Sequence, residues 1–264
     1  LRYTLRPGPA YRVREVRIEG NDRVLTQYIE RELLIDSGEA FDAARVARTE
    51  ANLLDTGWFR DISFEPVALD TTAAEATLRL RVVERPTGFW ELGVGTGTED
   101  RVRLSAGWGD RNVWRSGKSL TLRGRVLGSI ESTVDDPDDS DIFVDHEEEL
   151  LYRHPHFLGT RYTGNANLFF RVESRPRSAL ELRQLGLLIN TALIQRGANS
   201  LEVELGLQRT RKRELSDAIT FDNDRAQTRS VTVVATNDTR NDLFSPTRGQ
   251  LRQLLVQLAG GPVL

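Results

Sequence analysis

The chain contains no cysteine, only three histidines and few aromatic residues: four tryptophans, five tyrosines and ten phenylalanines among 264 positions. Without cysteine there are neither disulfides nor thiolate metal sites, a condition that suits an envelope protein and many cytosolic proteins alike. Three histidines leave few general bases, and no nucleophile-elbow pattern occurs, so an enzyme is not indicated and no catalytic residue is assigned. Long apolar runs are missing too. The nearest approach, Leu185 to Ile194, is interrupted by Asn190 and Thr191 and falls well short of the roughly 20 residues a spanning helix needs. Nor is there a dense basic face: 36 basic and 39 acidic residues are spread along the chain for a net charge of -3, which argues against nucleic acid as a partner. The chain opens on Leu1 with no charged-then-apolar leader; we read it as a piece of a longer protein, with any signal peptide upstream.

What is present divides into two halves. From Tyr11 to Arg85 the apolar period switches between 2 and 3.6, as in a small α+β unit. Tyr11 to Ile18 alternates and stops at Gly20-Asn21, a strand followed by a turn. Thr26 is expected to cap a short helix carrying Ile29 and Leu33 on one face and ending near Ser37-Gly38. Asp42 is expected to cap a second helix, with Ala43, Val46, Ala47, Ala51 and Leu54 at helical spacing and Gly57 as the stop. Trp58 and Phe59 anchor its exit. Ile62 to Val67 and Ala76 to Val83 read as strands, closing a β-α-α-β-β order.

After Pro86 the helical period disappears. Trp90, Leu92, Val94 and Thr96 alternate with Glu91, Gly93, Gly95 and Gly97, and Val102, Leu104, Ala106 and Trp108 alternate with Arg101, Arg103, Ser105 and Gly107. Leu201, Val203, Leu205 and Leu207 repeat the pattern against Glu202, Glu204 and Gln208. Such segments, about 9 to 11 residues long, match a tilted strand crossing a bilayer. The overall hydrophobic content of 39% agrees with this, because only alternate residues of a membrane barrel face lipid. A soluble β-sandwich or lipocalin-like barrel alternates in the same way. Loop lengths favour the membrane barrel. Long polar connections, Ser129 to Glu147 and Arg211 to Gln227, alternate with shorter ones, Asp110 to Lys118, His154 to Thr160 and Thr191 to Ser200, as in a barrel with long outer loops and short periplasmic turns.

Other motifs carry little chemistry. Gly117-Lys-Ser119 ends like a phosphate-binding loop, but the required earlier glycine is Asn112, so a strand-to-strand turn is the reading. Gly93, Gly95 and Gly97 precede no helix and make no dinucleotide fingerprint. The acidic residues Asp135, Asp136, Asp138, Asp139, Asp141 and Asp145 include Pro137 and lack a calcium-loop glycine, which points to a solvated loop. His154 and His156 flank Pro155 without a third ligand; they read as part of a turn, and no metal site or cofactor is expected.

Residues Val16-Arg-Ile-Glu-Gly-Asn21, Leu53-Leu-Asp-Thr-Gly-Trp-Phe59 and Leu78-Arg-Leu-Arg-Val-Val-Glu-Arg85 resemble those of a POTRA domain. Trp90-Glu-Leu-Gly-Val-Gly95, Arg111-Asn-Val-Trp-Arg-Ser-Gly117, Tyr152-Arg-His-Pro-His-Phe-Leu-Gly159 and, most specifically, Asn237-Asp-Thr-Arg-Asn-Asp-Leu-Phe-Ser-Pro-Thr-Arg-Gly249 resemble the start of the barrel of the BamA/TamA superfamily. The resemblance implies an α+β POTRA domain (β-α-α-β-β) over 11–86, followed over 87–264 by the N-terminal part of an all-β antiparallel transmembrane barrel of about nine strands. Residues 1–10 are similar to the end of a preceding POTRA domain or a linker.

The resemblance also implies a function. Ile62, Ser63, Phe64, Glu65, Pro66 and Val67 would form an edge strand that captures unfolded outer-membrane polypeptides by strand addition, unless a neighbouring POTRA domain covers it. Phe89, Trp90, Glu91, Leu92, Gly93, Val94, Gly95, Thr96 and Gly97 would line a lateral gate, where three glycines weaken the seam. Partners would be unfolded outer-membrane proteins or autotransporters, outer-membrane lipid, and periplasmic or inner-membrane accessory proteins. The alternatives are a two-partner-secretion type pore that passes polypeptide through the barrel and a soluble sandwich acting only as a binding module.

Overall fold

A computed structural model describes residues 10–97, 102–132, 140–160, 162–175, 180–196, 198–214, 224–242 and 244–261. The chain forms two compact units, one of Leu1–Thr87 with Arg111–Lys118 and one of Gly88–Asp110 with Ser119–Leu264.

In the first unit, β1 (Arg12–Glu19), α1 (Thr26–Glu30), α2 (Ala43–Asp55), β2 (Phe59–Asp70) and β3 (Glu75–Glu84) follow in the expected order. The sheet order is β1-β3-β2, with β1 parallel and β2 antiparallel to the central β3. Alternating β3 residues Ala76, Leu78, Leu80 and Val82 face the core, meeting Ile29 from α1 and Leu53 from α2, while Val24, Trp58 and Phe59 close one end. Asp42 caps α2 as expected, its carboxylate accepting the Ala44 and Arg45 amides.

Three local expectations are corrected. Thr26 is the first helical residue of α1 rather than its cap; Leu25 holds that place without a side-chain bond, and the Thr26 hydroxyl accepts from Asn21 Nδ2 at 3.0 Å. The helix itself ends at Glu30, well before Ser37-Gly38, because Leu34 turns its amide to the Thr49 hydroxyl at 3.1 Å instead of continuing the helical ladder. On α2 the buried residues are Thr49 and Leu53, with Val46 half-buried beside them, leaving Ala43, Ala47, Ala51 and Leu54 exposed. The polar Thr49 is fully buried because its hydroxyl also donates to Arg45 O at 2.9 Å, so both hydrogen-bonding roles are met.

The second unit is a nine-stranded sheet in sequence order: β4 (Gly88–Thr96), β5 (Val102–Val113), β6 (Lys118–Ser132), β7 (Ser140–His154), β8 (Gly164–Arg175), β9 (Leu180–Arg196), β10 (Asn199–Glu214), β11 (Arg225–Asp238) and β12 (Leu251–Gly260). The pairings given by β4-β5, β6-β7 and each neighbouring pair from β7 to β12 are antiparallel. Among the described residues β4 and β12 are the first and last strands of this sheet. Its strands reach 17 residues in β9, longer than the apolar pattern predicts, and they absorb much of the expected loops. Ser129 lies within β6 and Glu147 within β7, and β10 runs through Arg211 to Glu214. Thr191 to Ser200 is likewise mostly strand. The reason is physical: backbone pairing continues where neither face meets an apolar medium, so the strand persists after the period-2 signal has stopped.

Candidate functional site

The predicted POTRA edge residues, Ile62 to Val67, all lie in β2, which pairs with β3 on one side and forms an edge of its sheet. The strand is irregular, with register shifts between Phe59 and Asp61 and between Pro66 and Ala68. Pro66 brings no amide proton, so it is tolerated at an edge and not at a sheet centre. The turn after β2 is held by Asp70, whose carboxylate accepts the Thr72 and Ala73 amides at 2.9 Å. Those amides, Ala73 foremost, with the Arg14 charge nearby, hold the Asp70 carboxyl below its ordinary value.

Of the predicted gate residues, Phe89 to Thr96 lie in β4, and Gly97 follows the end of the strand. The pairing of β4 with β5 is unbroken from Gly88↔Asp110 to Thr96↔Val102, which sets Trp90 across from Trp108. Trp90, Leu92 and Val94 share the outward face and are 78, 86 and 82% exposed. The glycines differ in what a side chain would meet. A Cβ at Gly93 would come 2.5 Å from the Ser105 hydroxyl, whereas Gly95 has only Arg103 Cβ at 4.0 Å. The two predicted sites belong to different units.

The outward face of the second unit carries leucine, valine and aromatic residues in register: Leu122, Leu150, Leu168, Leu187 and Leu207 occupy successive strands on one cross-strand row. The inward face is polar. There Glu147, with its side chain 8% exposed, bonds both Arg125 and Arg171 from the neighbouring strands. The Asn165 and Asn190 side-chain amides pair at 2.9 Å. This two-sided wall is the pattern of strands between lipid and a wet interior. Among the described residues no helix is long and apolar enough to cross a membrane, and no three histidine or acidic side chains gather as a metal site.

Two turns gain a geometry that the sequence did not display. Within the first unit, Trp58 Nε1 donates to Gly117 O at 3.1 Å, Asn112 Nδ2 donates to Arg23 O at 3.1 Å, and Asn112 Oδ1 accepts the Gly117 amide at 2.8 Å. Arg115 adds bonds from Nη2 to Asp22 O and from Nε to Arg23 O, at 2.6 and 3.2 Å. Between β11 and β12, Asn241 Oδ1 accepts the Thr247 and Arg248 amides at 3.1 and 2.9 Å, and Asp242 Oδ1 accepts those of Phe244 and Ser245 at 2.8 and 2.7 Å. Each of these pairings joins residues too far apart in sequence, or too ordinary in type, for composition or periodicity to reveal.

Residues 11–85 match the POTRA family model, described as a surface antigen variable number repeat. A stretch of 119 residues is 29% identical to the outer membrane protein assembly factor BamA of Neisseria meningitidis serogroup B, covering 45% of this chain and 15% of that protein. The fold is that of BamA from Haemophilus ducreyi lacking POTRA domains 1-3, with a TM-score of 0.68, 20% identity, and coverage of 96% of this chain and 49% of that one. CdiB from Acinetobacter baumannii is also similar in fold, at a TM-score of 0.58 and 12% identity over 95% of this chain and 46% of that one.

Proposed function

From a chain that carries a POTRA domain and the barrel fold of BamA, we propose an assembly and insertion factor for outer-membrane β-barrel proteins. The chain is an outer-membrane protein with its POTRA domain in the periplasm, and its curated relatives are named as assembly factors. The observation that carries the proposal is the occurrence, in one chain, of an edge strand, β2, on a small α+β sheet and of a long antiparallel sheet with an apolar outer face that begins with the glycine-bearing β4. An unpaired edge offers amides and carbonyls to any extended polypeptide whatever its side chains, which is the chemistry that unfolded clients of varied sequence require. In this reading, Ile62 to Val67 capture the client and β4 templates its strands before release into the bilayer, with no nucleotide consumed. The domain division follows: 11–86 binds and 87–264 contributes barrel wall, with 1–10 leading in from a preceding domain or linker.

The absence of cysteine makes the test direct, because each introduced thiol is unique. The protein is reconstituted in lipid vesicles with Ser63→Cys or Trp90→Cys and challenged with an unfolded outer-membrane protein bearing one cysteine near its end. Disulfide-linked adducts from both positions, together with clients that become protease-protected in the bilayer, are the expected result. Adducts from neither position overturn the reading. Clients delivered into the vesicle lumen in place of its membrane indicate the transporting pore instead.

A further inference from the structure

The end of the second unit's sheet opposite Gly88, where the chain enters, carries an unexplained concentration of arginine. On β9 the outward residues Leu185, Leu187 and Ile189 belong to the apolar wall, as do Leu205 and Leu207 on β10 and Val231 on β11. The next outward positions toward that end include Arg183, Arg209, Arg211, Arg225 and Arg229, all exposed, with Gln227 and Glu181 on the same face. They are aligned by register: Arg211 stands directly between Arg183 and Arg225, Arg209 faces Leu185, and Arg229 faces Leu207.

Like charges set directly opposite one another across a sheet repel. Two of the five are partly neutralised, Arg183 by Glu181 at 2.6 Å and Arg225 by Asp224 at 3.4 Å. Among the described residues no carboxylate pairs with Arg209, Arg211 or Arg229. A cavity of about 180 Å³ opens at the same place, lined by Arg209, Asp224, Arg225, Ala226 and Gln227. Guanidinium groups present forked donors that match phosphate oxygens two at a time.

We propose that this arginine row binds the headgroup phosphates of anionic lipids in the leaflet at that end of the wall. The argument rests on the barrel reading given above, and its specific support is continuity: the arginines directly succeed the residues that would meet acyl chains, which is where a headgroup phosphate stands. The charge of the row is predominantly positive even with Glu181 and Asp224 beside it, the row is outward, and the cavity beside Arg209 and Arg225 is wide enough for a phosphate. A lipid bound here satisfies both halves of the surface at once, its chains on Leu185, Leu187 and Leu207 and its phosphate on Arg209 and Arg211.

The test uses the protein reconstituted in phosphatidylcholine nanodiscs and titrated with fluorescent lipid A, with dephosphorylated lipid A as the counterpart. The unaltered protein is expected to prefer the phosphorylated form, and Arg209→Gln/Arg211→Gln/Arg229→Gln to lose on the order of a hundredfold in that affinity, at about fivefold per arginine. Lys212→Gln, which removes a charge from the inward face of the same strand, leaves binding unchanged. Arg209→Lys/Arg211→Lys keeps the charge and the insertion while losing the forked pairing, and gives an intermediate affinity should the glutamine variant fail to fold. Equal binding of the two lipid forms by inserted protein, or equal loss from Lys212→Gln, overturns this proposal and leaves the barrel reading standing. Displacement of lipid A by an equal concentration of inorganic phosphate overturns the lipid as the ligand. Failure of the unaltered protein to enter nanodiscs overturns the barrel reading and this proposal with it.

Discussion

Trp58 and Gly117 are fitted to each other: the indole donates to the glycine carbonyl at 3.1 Å, and a Cβ on Gly117 would stand 2.1 Å from the ring. Gly117 also has a φ of +69°, a conformation that costs other residues about 1–3 kcal/mol. Gly117→Ala is therefore expected to loosen the turn from Asn112 to Lys118 by at least that amount, and Trp58→Phe by about 1 kcal/mol through the lost hydrogen bond. Amide exchange of residues 112–118, read by mass spectrometry, checks both. Unchanged exchange in Gly117→Ala would show that the turn is not held by the indole.

The turn before β12 is expected to weaken in acid. The Ser245 and Phe244 amides hold the Asp242 carboxyl below its ordinary value of 3.8. A carboxylate depressed in this way stabilises the turn fully above its unfolded value, and the contribution is lost as pH falls through the lowered one. Exchange of the Phe244 and Ser245 amides should therefore lose protection in the window below 3.8, with Asp242→Asn showing the unprotected behaviour at neutral pH. Protection that persists in Asp242→Asn removes the carboxylate from the account.

Gly249 gives the same turn a steric requirement. Its φ is +88°, and a Cβ would lie 2.0 Å from Thr239 O. Gly249→Ala is expected to disturb the entry into β12, and the fraction of protein showing the heat-dependent gel shift of a folded barrel should fall. Asn241→Ala, which removes the acceptor of the Thr247 and Arg248 amides, should act in the same direction more mildly, by about 1–2 kcal/mol.

On the inward face, Glu147→Ala strands Arg125 and Arg171 beside each other without their shared carboxylate. A fully buried pair broken in this way costs about 3–5 kcal/mol, but these arginines are 44 and 42% exposed, so about 1–2 kcal/mol is expected after screening. Unfolding in urea, followed by the same gel shift, measures it. Glu147→Gln, which keeps the shape and one acceptor oxygen but turns an amide donor toward the second arginine, should recover only part of the loss.

Much of the architecture was legible because binary patterns are local. Asp42 announced its helix, Trp58 and Phe59 announced a core anchor, and the alternation at Trp90, Leu92 and Val94 gave both a strand and its outward face. Two of the misread places share a cause, a polar residue on a face that is otherwise apolar. Thr49 is buried, and on β7 the outward places of His146 and Glu148 break the alternation, so part of a strand looked like a loop. The arginine row was invisible for a different reason. Arg183, Arg211 and Arg225 are scattered in sequence, and only the strand register sets them side by side. β2 was legible as a strand from its residues, but its standing at the margin of the sheet is a property of topology.

Pro66 has a consequence for anything laid along β2. A guest backbone can exchange bonds with the stretch from Asp61 to Glu65, but at residue 66 the host supplies no proton, and just beyond it the ladder slips by one position. Such a margin accepts short lengths of extended chain and denies long ones a continuous zipper. A cargo gripped this way would be held loosely enough to be handed on, and an accidental permanent sheet would stop growing where the ring begins.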